Sequence, residues 1–487
     1  MSEREELAKI VGNENVFDDP ETIESYSKDG SFVHKIRPRC IAKPKDVGQI
    51  QTIVKWANDT SAPLVPVSSG PPRFRGDTIP SVGGAVIVDL SQMKRIIRVD
   101  RRNRVAMVEP GVTFTDLIPE LNKHDLAPFM PLVPRGSKSV VASGLEREPI
   151  TVPMHHWDVQ DPVRCIEIIY GTGDLFRTGS AAGPGTLEEQ WEVGRAQMRG
   201  IGPAHTDFAR LIQGAQGTMG IVTWVSMGCK PLPKLKRTFL VGADRVEALI
   251  GFIYKLLWKK LGDDYIVLNN HDLASLLTNK REACNEVKAS LPPWVFIFSI
   301  EGFGLLPEER VAYQETEFIE AAQSFGLVPT KVLNGIKAQV VEDVVACPSK
   351  EPYWKVRAKG GCHDIFFLTT LDKAPQFIRG MYDLAEANQY PTDEIGIYVQ
   401  PSVQGTNCHC EFNLMYDPKN RGEADKVRMI DHKASRLFSR LGGFFSRPYG
   451  SWAEVAYGGA ADVIIASRKV KDIFDPKGVM NPGKLCF

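Results

Sequence analysis

Apolar residues recur in two rhythms along the chain. In "VGQIQTIVKWANDT", Val47, Ile50, Ile53, Val54 and Ala57 share one face of a 3.6-residue repeat, and the preceding Pro-Lys-Asp supplies a start, so a helix is expected there. The same rhythm runs through "TFTDLIPELNKHD", "VEALIGFIYKLLWKKLG" and "EERVAYQETEFIEAAQSFG". Short apolar runs bounded by turn residues predict strands in "CIAKP", "APLVPV", "AVIVDL", "RIIRVD" and "RVAMVEPG". "RCIEIIYGTGDLFRTG" reads as a hairpin with GTGD as its turn. Farther on, "PPWVFIFSIEGFG", "HDIFFLTTLD" and "EIGIYVQPSVQGTNCHCEFNLMYDP" read as long strands. The final "VIIASRKVKDIFDPKGVMNPGKLCF" reads as a helix and then a Gly-Pro turn.

These elements group into a β-rich α+β unit up to about residue 230 and a second α+β unit with antiparallel-looking strands from about 235 to 440. A chain of 487 residues is long enough for both. Lysine plus arginine equals aspartate plus glutamate at 59 each, so nothing favours nucleic acid or an anionic membrane as a partner. The charged start "MSEREELAKIVGNENVF" lacks the apolar core of a signal peptide, and no stretch reaches the ~18–20 apolar residues of a membrane span. Nine scattered cysteines suit reduced thiols in a cytoplasmic protein. Cys408 and Cys410 flank His409 without a fourth ligand at workable spacing, so no metal is expected.

Candidate chemistry lies in the glycines. A dinucleotide G-x-G-x-x-G between strand and helix is absent, as are the Walker A, HExxH and G-x-S-x-G signatures. Four other loops share a character: "PVSSGPPRFRGD", "PRGSKSVVASGLERE", "GAQGTMGIVT" and "DPKGVMNPGKL". Each is rich in small residues and sits beside a strand. Each reads either as an ordinary turn or as a row of backbone N–H groups for a diphosphate or ring system.

Taken in order, from about residue 38 onward, the four loops and the strands between them resemble the vanillyl-alcohol oxidase and p-cresol methylhydroxylase family of flavoproteins. The resemblance implies an α+β fold: a two-part FAD-binding domain of the p-cresol methylhydroxylase type over 1–235, an α+β cap with an antiparallel sheet over 236–444, and a segment 445–487 returning to the first domain. It implies FAD, met in the first loop by Pro66, Ser68, Ser69, Gly70, Pro71 and Arg73. The second loop would contribute Ser137, Ser139, Val140, Ser143, Gly144 and Glu146. Gly214, Gly217 and Gly220 would let backbone approach the cofactor, with Ile221 and Val222 starting the strand beneath, and Asn481 and Lys484 would close the site.

The chemistry so implied is hydride removal from a carbon beside oxygen or a phenol ring. Arg447 matches an arginine that stabilises substrate charge in the phenol oxidisers, but Ser446 replaces the tyrosine usual before it. Arg75 stands where a second tyrosine is usual. Two guanidiniums suit a carboxylate, although Arg75 reads equally as a ligand of the FAD diphosphate. His155 falls at a proton-accepting position, and His363 lies near a histidine that some relatives bond covalently to flavin. "SVQGTNCHCEF" keeps only the tail of the metal motif of the 2-hydroxy-acid branch, yet its alternation turns His409 and Glu411 the same way. The reading is an FAD-dependent oxidase or dehydrogenase acting on a small alcohol, hydroxy acid or para-substituted phenol with an anionic group. The alternatives are a D-2-hydroxy-acid dehydrogenase and an electron-transfer subunit without its own substrate. Expected partners are a small substrate, an electron acceptor (O2, a cytochrome or an electron-transfer protein) and further copies of the chain.

Overall fold

The computed structural model describes residues 2–153, 162–203 and 206–487. The helix Val47–Thr60 is started by Asp46, whose side chain accepts from the Gln49 N–H at 2.9 Å, and it buries Ile50, Ile53, Val54 and Ala57 completely. Those residues pack against a four-stranded sheet in the order Val16–Phe17, Cys40–Ala42, Val86–Asp89, Leu64–Val67. The last three strands run parallel.

A second sheet runs Ile96–Asp100, Val105–Val108, Gly220–Pro231, Val163–Tyr170, Leu175–Arg177, with Leu126–Pro128 beside the far end of Gly220–Pro231. The hairpin expected at 164–179 is present, with Ile169 opposite Leu175. Alternation along its strands decides what each layer receives. Ile169 and Ile221 join the core of the first sheet, whereas Ile168 and Val222 face the opposite cluster with Val140 and Val141.

The third sheet has seven strands, all antiparallel: Pro329–Thr330, Leu235–Ala243, Trp294–Gly302, Asp264–Asn269, Ile395–Ser402, Asn407–Tyr416, Gly361–Thr369. The run at 395–416 is thus two strands, not one. It doubles back at Val403–Gly405, where Gly405 takes φ +84°. Helices Glu247–Lys259, Pro307–Ser324, Ala374–Ala387 and Arg421–Arg440 cover one face over a core that includes Phe298, Phe367 and Phe412. The other face changes character along its width. Ile266, Leu268, Val295 and Ile297 make it apolar on one side, and Asp364, Tyr398, Gln400, His409, Glu411 and Asn413 make it polar on the other.

Phe445, Tyr449 and Trp452 pack in the core of the antiparallel sheet, and Val479 and Met480 in that of the four-stranded sheet, so the chain crosses back between them. No helix among the described residues is long and apolar enough to cross a membrane.

Candidate functional site

Three of the four glycine-bearing loops enclose one cradle. The first gives Pro66, Ser68, Ser69, Arg73, Phe74, Arg75 and Asp77; the second, Lys138, Val141, Ala142, Leu145 and Glu146; the third, Gly214, Gln216, Gly217, Met219 and Gly220. Ile168 and Val222 floor it from the second sheet, and Tyr449 reaches it from beyond the cap. Apolar side chains make up much of the cradle's lining, with buried charged groups among them. Among the described residues the N–H groups of Ser69, Gln216 and Gly217 have no protein acceptor, and Glu146 Oε2 is buried without a partner. Arg73, Arg135 and Lys138 bring positive charge. A long molecule with an anionic centre, a flat apolar ring and hydroxyl donors fits these groups.

The glycines of the third loop also serve the protein itself. A Cβ on Gly220 would lie 2.2 Å from the Ile169 carbonyl oxygen, and one on Gly217, at φ +72°, 2.4 Å from Pro66 Cγ. Chain-on-chain crowding alone therefore demands glycine at both positions.

Several of the expected contact residues have scaffolding roles within the protein. Ser139 caps the helix Val140–Leu145, accepting from the Ala142 N–H at 3.1 Å and donating to the Pro110 carbonyl at 2.5 Å. Gly70 donates its N–H to the Ser137 carbonyl at 2.9 Å, and the Ser137 hydroxyl donates to the Pro71 carbonyl at 3.0 Å, which ties the first loop to the second. Ser143 donates to Glu148 at 2.7 Å. Gly144 packs under Val163 and Met227, and Val140 and Ile221 point into cores.

The last loop clamps rather than lines. Asp475 accepts from the N–H groups of Val479 and Met480 and from Lys471 Nζ, which also donates to the Thr218 carbonyl. This turn lays Met480 beside Leu64. Asn481 Nδ2 then donates to the carbonyls of Asp77 at 3.1 Å and Gln216 at 2.7 Å, and Lys484 donates to the Gly76 carbonyl at 2.8 Å.

Phe74, Arg75, Arg135 and Lys138 form a wall shared with a second, highly charged cavity. Its other members are Glu148, Lys355, Asp364, Glu411 and Arg447, under the rings of Tyr353, Trp354 and Tyr398. A continuous arch of polar contacts crosses it. Arg75 pairs with Asp364 at 3.0 Å, Asp364 with Lys355 at 2.8 Å, and Lys355 with Glu411 at 2.5 Å. Glu411 meets His409 Nε2 at 3.1 Å, and His409 Nδ1 meets Arg447 at 3.5 Å. Both arginines lie over the Phe366 ring, at 4.4 and 4.1 Å.

Charge compensation within the arch is uneven. Burial pulls Lys355 down, but Asp364 and Glu411 outweigh it and hold the ammonium well above its usual range. Burial pushes Glu148 up, but Lys138, the Ser143 hydroxyl, Arg447 and Arg75 bring it to about 2. His409 is lowered by burial, against the opposing pull of Glu411. Arg447 is 6% exposed and is lowered by burial; among the described residues no carboxylate lies within ion-pair distance. Arg75, expected as its twin, is already taken by Asp364.

His363 stands apart from the arch. Along the strand Gly361–Thr369, Asp364 and Phe366 face the arch, so His363 turns to the opposite face, where Asp431 lies 3.4 Å away. It lines an adjoining cavity that touches the cradle only through Phe74, Arg75, Gln216 and Tyr449. His155 lies outside the described residues. Sequence reasoning missed Lys138, Glu148, Lys355 and Asp364. Glu148, two residues after Glu146, carried the one local signal.

Residues 38–178 match the family described as FAD binding domain, and residues 368–485 that described as FAD linked oxidases, C-terminal domain. The glycolate oxidase subunit GlcD of Bacillus subtilis is 27% identical over 53% of this chain, a match that spans about half, 51%, of that relative's length. D-2-hydroxyglutarate dehydrogenase of Stutzerimonas stutzeri is 22% identical over 99% of this chain and 98% of its own. The crystal structure of p-cresol methylhydroxylase with substrate bound superposes with a TM-score of 0.85 over 99% of this chain and 96% of that one, at 16% identity.

Proposed function

We propose that this chain, an FAD-linked oxidoreductase of the vanillyl-alcohol oxidase and p-cresol methylhydroxylase family, is an FAD-dependent oxidase or dehydrogenase whose substrate is a small 2-hydroxy acid with one carboxylate. Arg447 carries this reading. Among the described residues no carboxylate lies within ion-pair distance of this buried guanidinium, Glu148 acts on it only from farther off, and a ring at 4.1 Å offsets only part of the cost of burial. A substrate carboxylate supplies the missing charge. Arg447 lines the second cavity, whose wall is shared with the cradle, and this supports an anion held next to the flavin.

The residues that would hold FAD are the apolar floor of Ile168 and Val222, the free N–H groups of Ser69, Gln216 and Gly217, and the cations Arg73, Arg135 and Lys138. FAD bound there supplies the acceptor for a hydride. The chain supplies orientation and a base. Arg447 fixes the carboxylate, which turns the guanidinium away from His409. The Nδ1 lone pair so released accepts the substrate's hydroxyl proton, and Glu411 steadies the resulting imidazolium from the Nε2 side. His409 takes this role among the described residues, and the shared face of His409 and Glu411 supports it.

The test is anaerobic mixing of the FAD-loaded protein with 2-hydroxy acids, the matching alcohols and para-substituted phenols. Bleaching of the flavin's visible absorption is expected with the acids. Bleaching by alcohols or phenols alone defeats the carboxylate assignment, and bleaching by none of them points to an electron-transfer subunit.

A further inference from the structure

Lys355 belongs to no motif, yet it occupies the middle of the arch. It is 6% exposed, sits in the short turn Trp354–Val356, and reaches a carboxylate on each of two neighbouring strands. Glu411 divides its two oxygens between partners: Oε1 faces Lys355 and Oε2 faces His409. We propose that Lys355 is a positioning residue, whose hold on Glu411 keeps His409 a neutral Nε2–H imidazole with its Nδ1 lone pair on the Arg447 side. The inference rests on the reading of Arg447 and His409 given above.

The physical argument concerns where a proton sits. A buried carboxylate whose only partner is an imidazole favours the imidazolium, because the pair then carries opposite charges. An imidazolium at this point has a proton on Nδ1, facing a guanidinium that can only donate, and has no lone pair left to accept with. The ammonium of Lys355 changes the balance. It satisfies the charge of Glu411 without a proton on His409, and it adds a second positive charge that disfavours one. The groups touching His409 are Glu411 from its own strand, Arg447 from the segment after helix Arg421–Arg440, and the rings of Phe366 and Tyr398 at 5.8 and 5.6 Å, with Lys355 behind Glu411 in the turn above. Arg147, Glu148, Arg210 and Lys373 line the cavity that His409 also borders. Of the groups in direct contact only Glu411 favours the proton. The other hand of Lys355 holds Asp364 and through it Arg75, so one ammonium sets both ends of the arch.

The experiment uses FAD-loaded protein labelled with 15N-histidine and follows the imidazole nitrogens of His409 by NMR as pH varies. Wild type should show a neutral Nε2–H ring throughout about pH 6–8. Lys355→Met should raise the pKa of His409 by about one unit or more, giving an imidazolium within that window, and Lys355→Arg should restore the neutral ring. Where the methionine variant fails to hold FAD, Lys355→Gln, which keeps hydrogen bonding without charge, is read the same way. With a hydroxy acid that bleaches the flavin, Lys355→Met should slow reduction about tenfold and move the acid limb of its pH profile upward, with a smaller change in KM. A variant that melts earlier but leaves the His409 titration unmoved would assign Lys355 a structural role only and overturn the proposal. Failure of every hydroxy acid to bleach the wild type removes the substrate reading instead, and the NMR titration still decides the role of Lys355.

Discussion

Nη2 of Arg447 stands 3.5 Å from Nδ1 of His409. A guanidinium offers no lone pair, so the imidazole accepts there and its own proton sits on Nε2, facing Glu411 at 3.1 Å. One contact thus fixes the tautomer of a buried histidine and occupies the very lone pair that a proton-accepting step needs. On the proposed reading, a substrate carboxylate that engages the arginine frees that lone pair.

Arg447→Ala should raise KM for a hydroxy acid roughly 10- to 100-fold, the worth of a charged hydrogen-bonding partner. Steady-state kinetics with a dye acceptor measure this. A matching uncharged alcohol should show little change, and equal losses for both would argue that Arg447 holds the fold instead.

Asp475→Ala should loosen the cradle from a distance. It leaves Lys471 buried without its carboxylate and frees the N–H groups of Val479 and Met480, at a cost of about 3–5 kcal/mol. The expected result is weaker FAD retention, read as free flavin fluorescence on dilution, together with a lower thermal midpoint.

Gly220→Ala should destabilise by about 1–3 kcal/mol through its collision with the Ile169 carbonyl. Denaturant unfolding of the FAD-free protein isolates this effect from cofactor binding. A loss seen only with FAD present would mean that the glycine serves the cofactor and not the strand.

Asp272 supplies a pH test. Burial raises its carboxyl to about 7, against the opposing bond from Asn413. A carboxyl whose folded pKa lies above its unfolded value stabilises fully below pH ~4 and loses that contribution as pH rises towards 7. Asp272→Asn should therefore gain in thermal midpoint relative to wild type across that interval and level off above it. A constant difference between the two proteins from pH 4 to 8 would refute the assignment.

Acid precipitation should leave FAD in the supernatant, because the His363 imidazole faces Asp431 on the far side of its strand. Colour retained on the precipitate would restore the covalent link.

Much of this molecule was legible in its sequence. The helix at Val47–Thr60 and the hairpin about GTGD follow from local rhythm, and the small-residue loops marked the cradle because turns and close approach are local demands. The charged arch was not legible. Lys355 and Glu411 meet across 56 positions, and no periodicity marks a lone lysine in "PYWKVRAKGG". The resemblance alone pointed to His363, and the structure sets its imidazole 3.4 Å from Asp431, in a cavity that adjoins the cradle. Ser139 shows a second limit: a hydroxyl in a glycine-bearing loop reads as a ligand, and local sequence does not tell that role from the helix cap it makes here.

Asn481 grips Asp77 across 404 positions of chain. On a translating ribosome the first and third loops therefore emerge long before the residue that joins them. Until then the polypeptide lacks both Val479 and Met480 of its first sheet's core and the clamp that draws the two loops together. Cofactor capture becomes a late event in biogenesis, and a product cut short before residue 481 should accumulate as colourless, flavin-free protein.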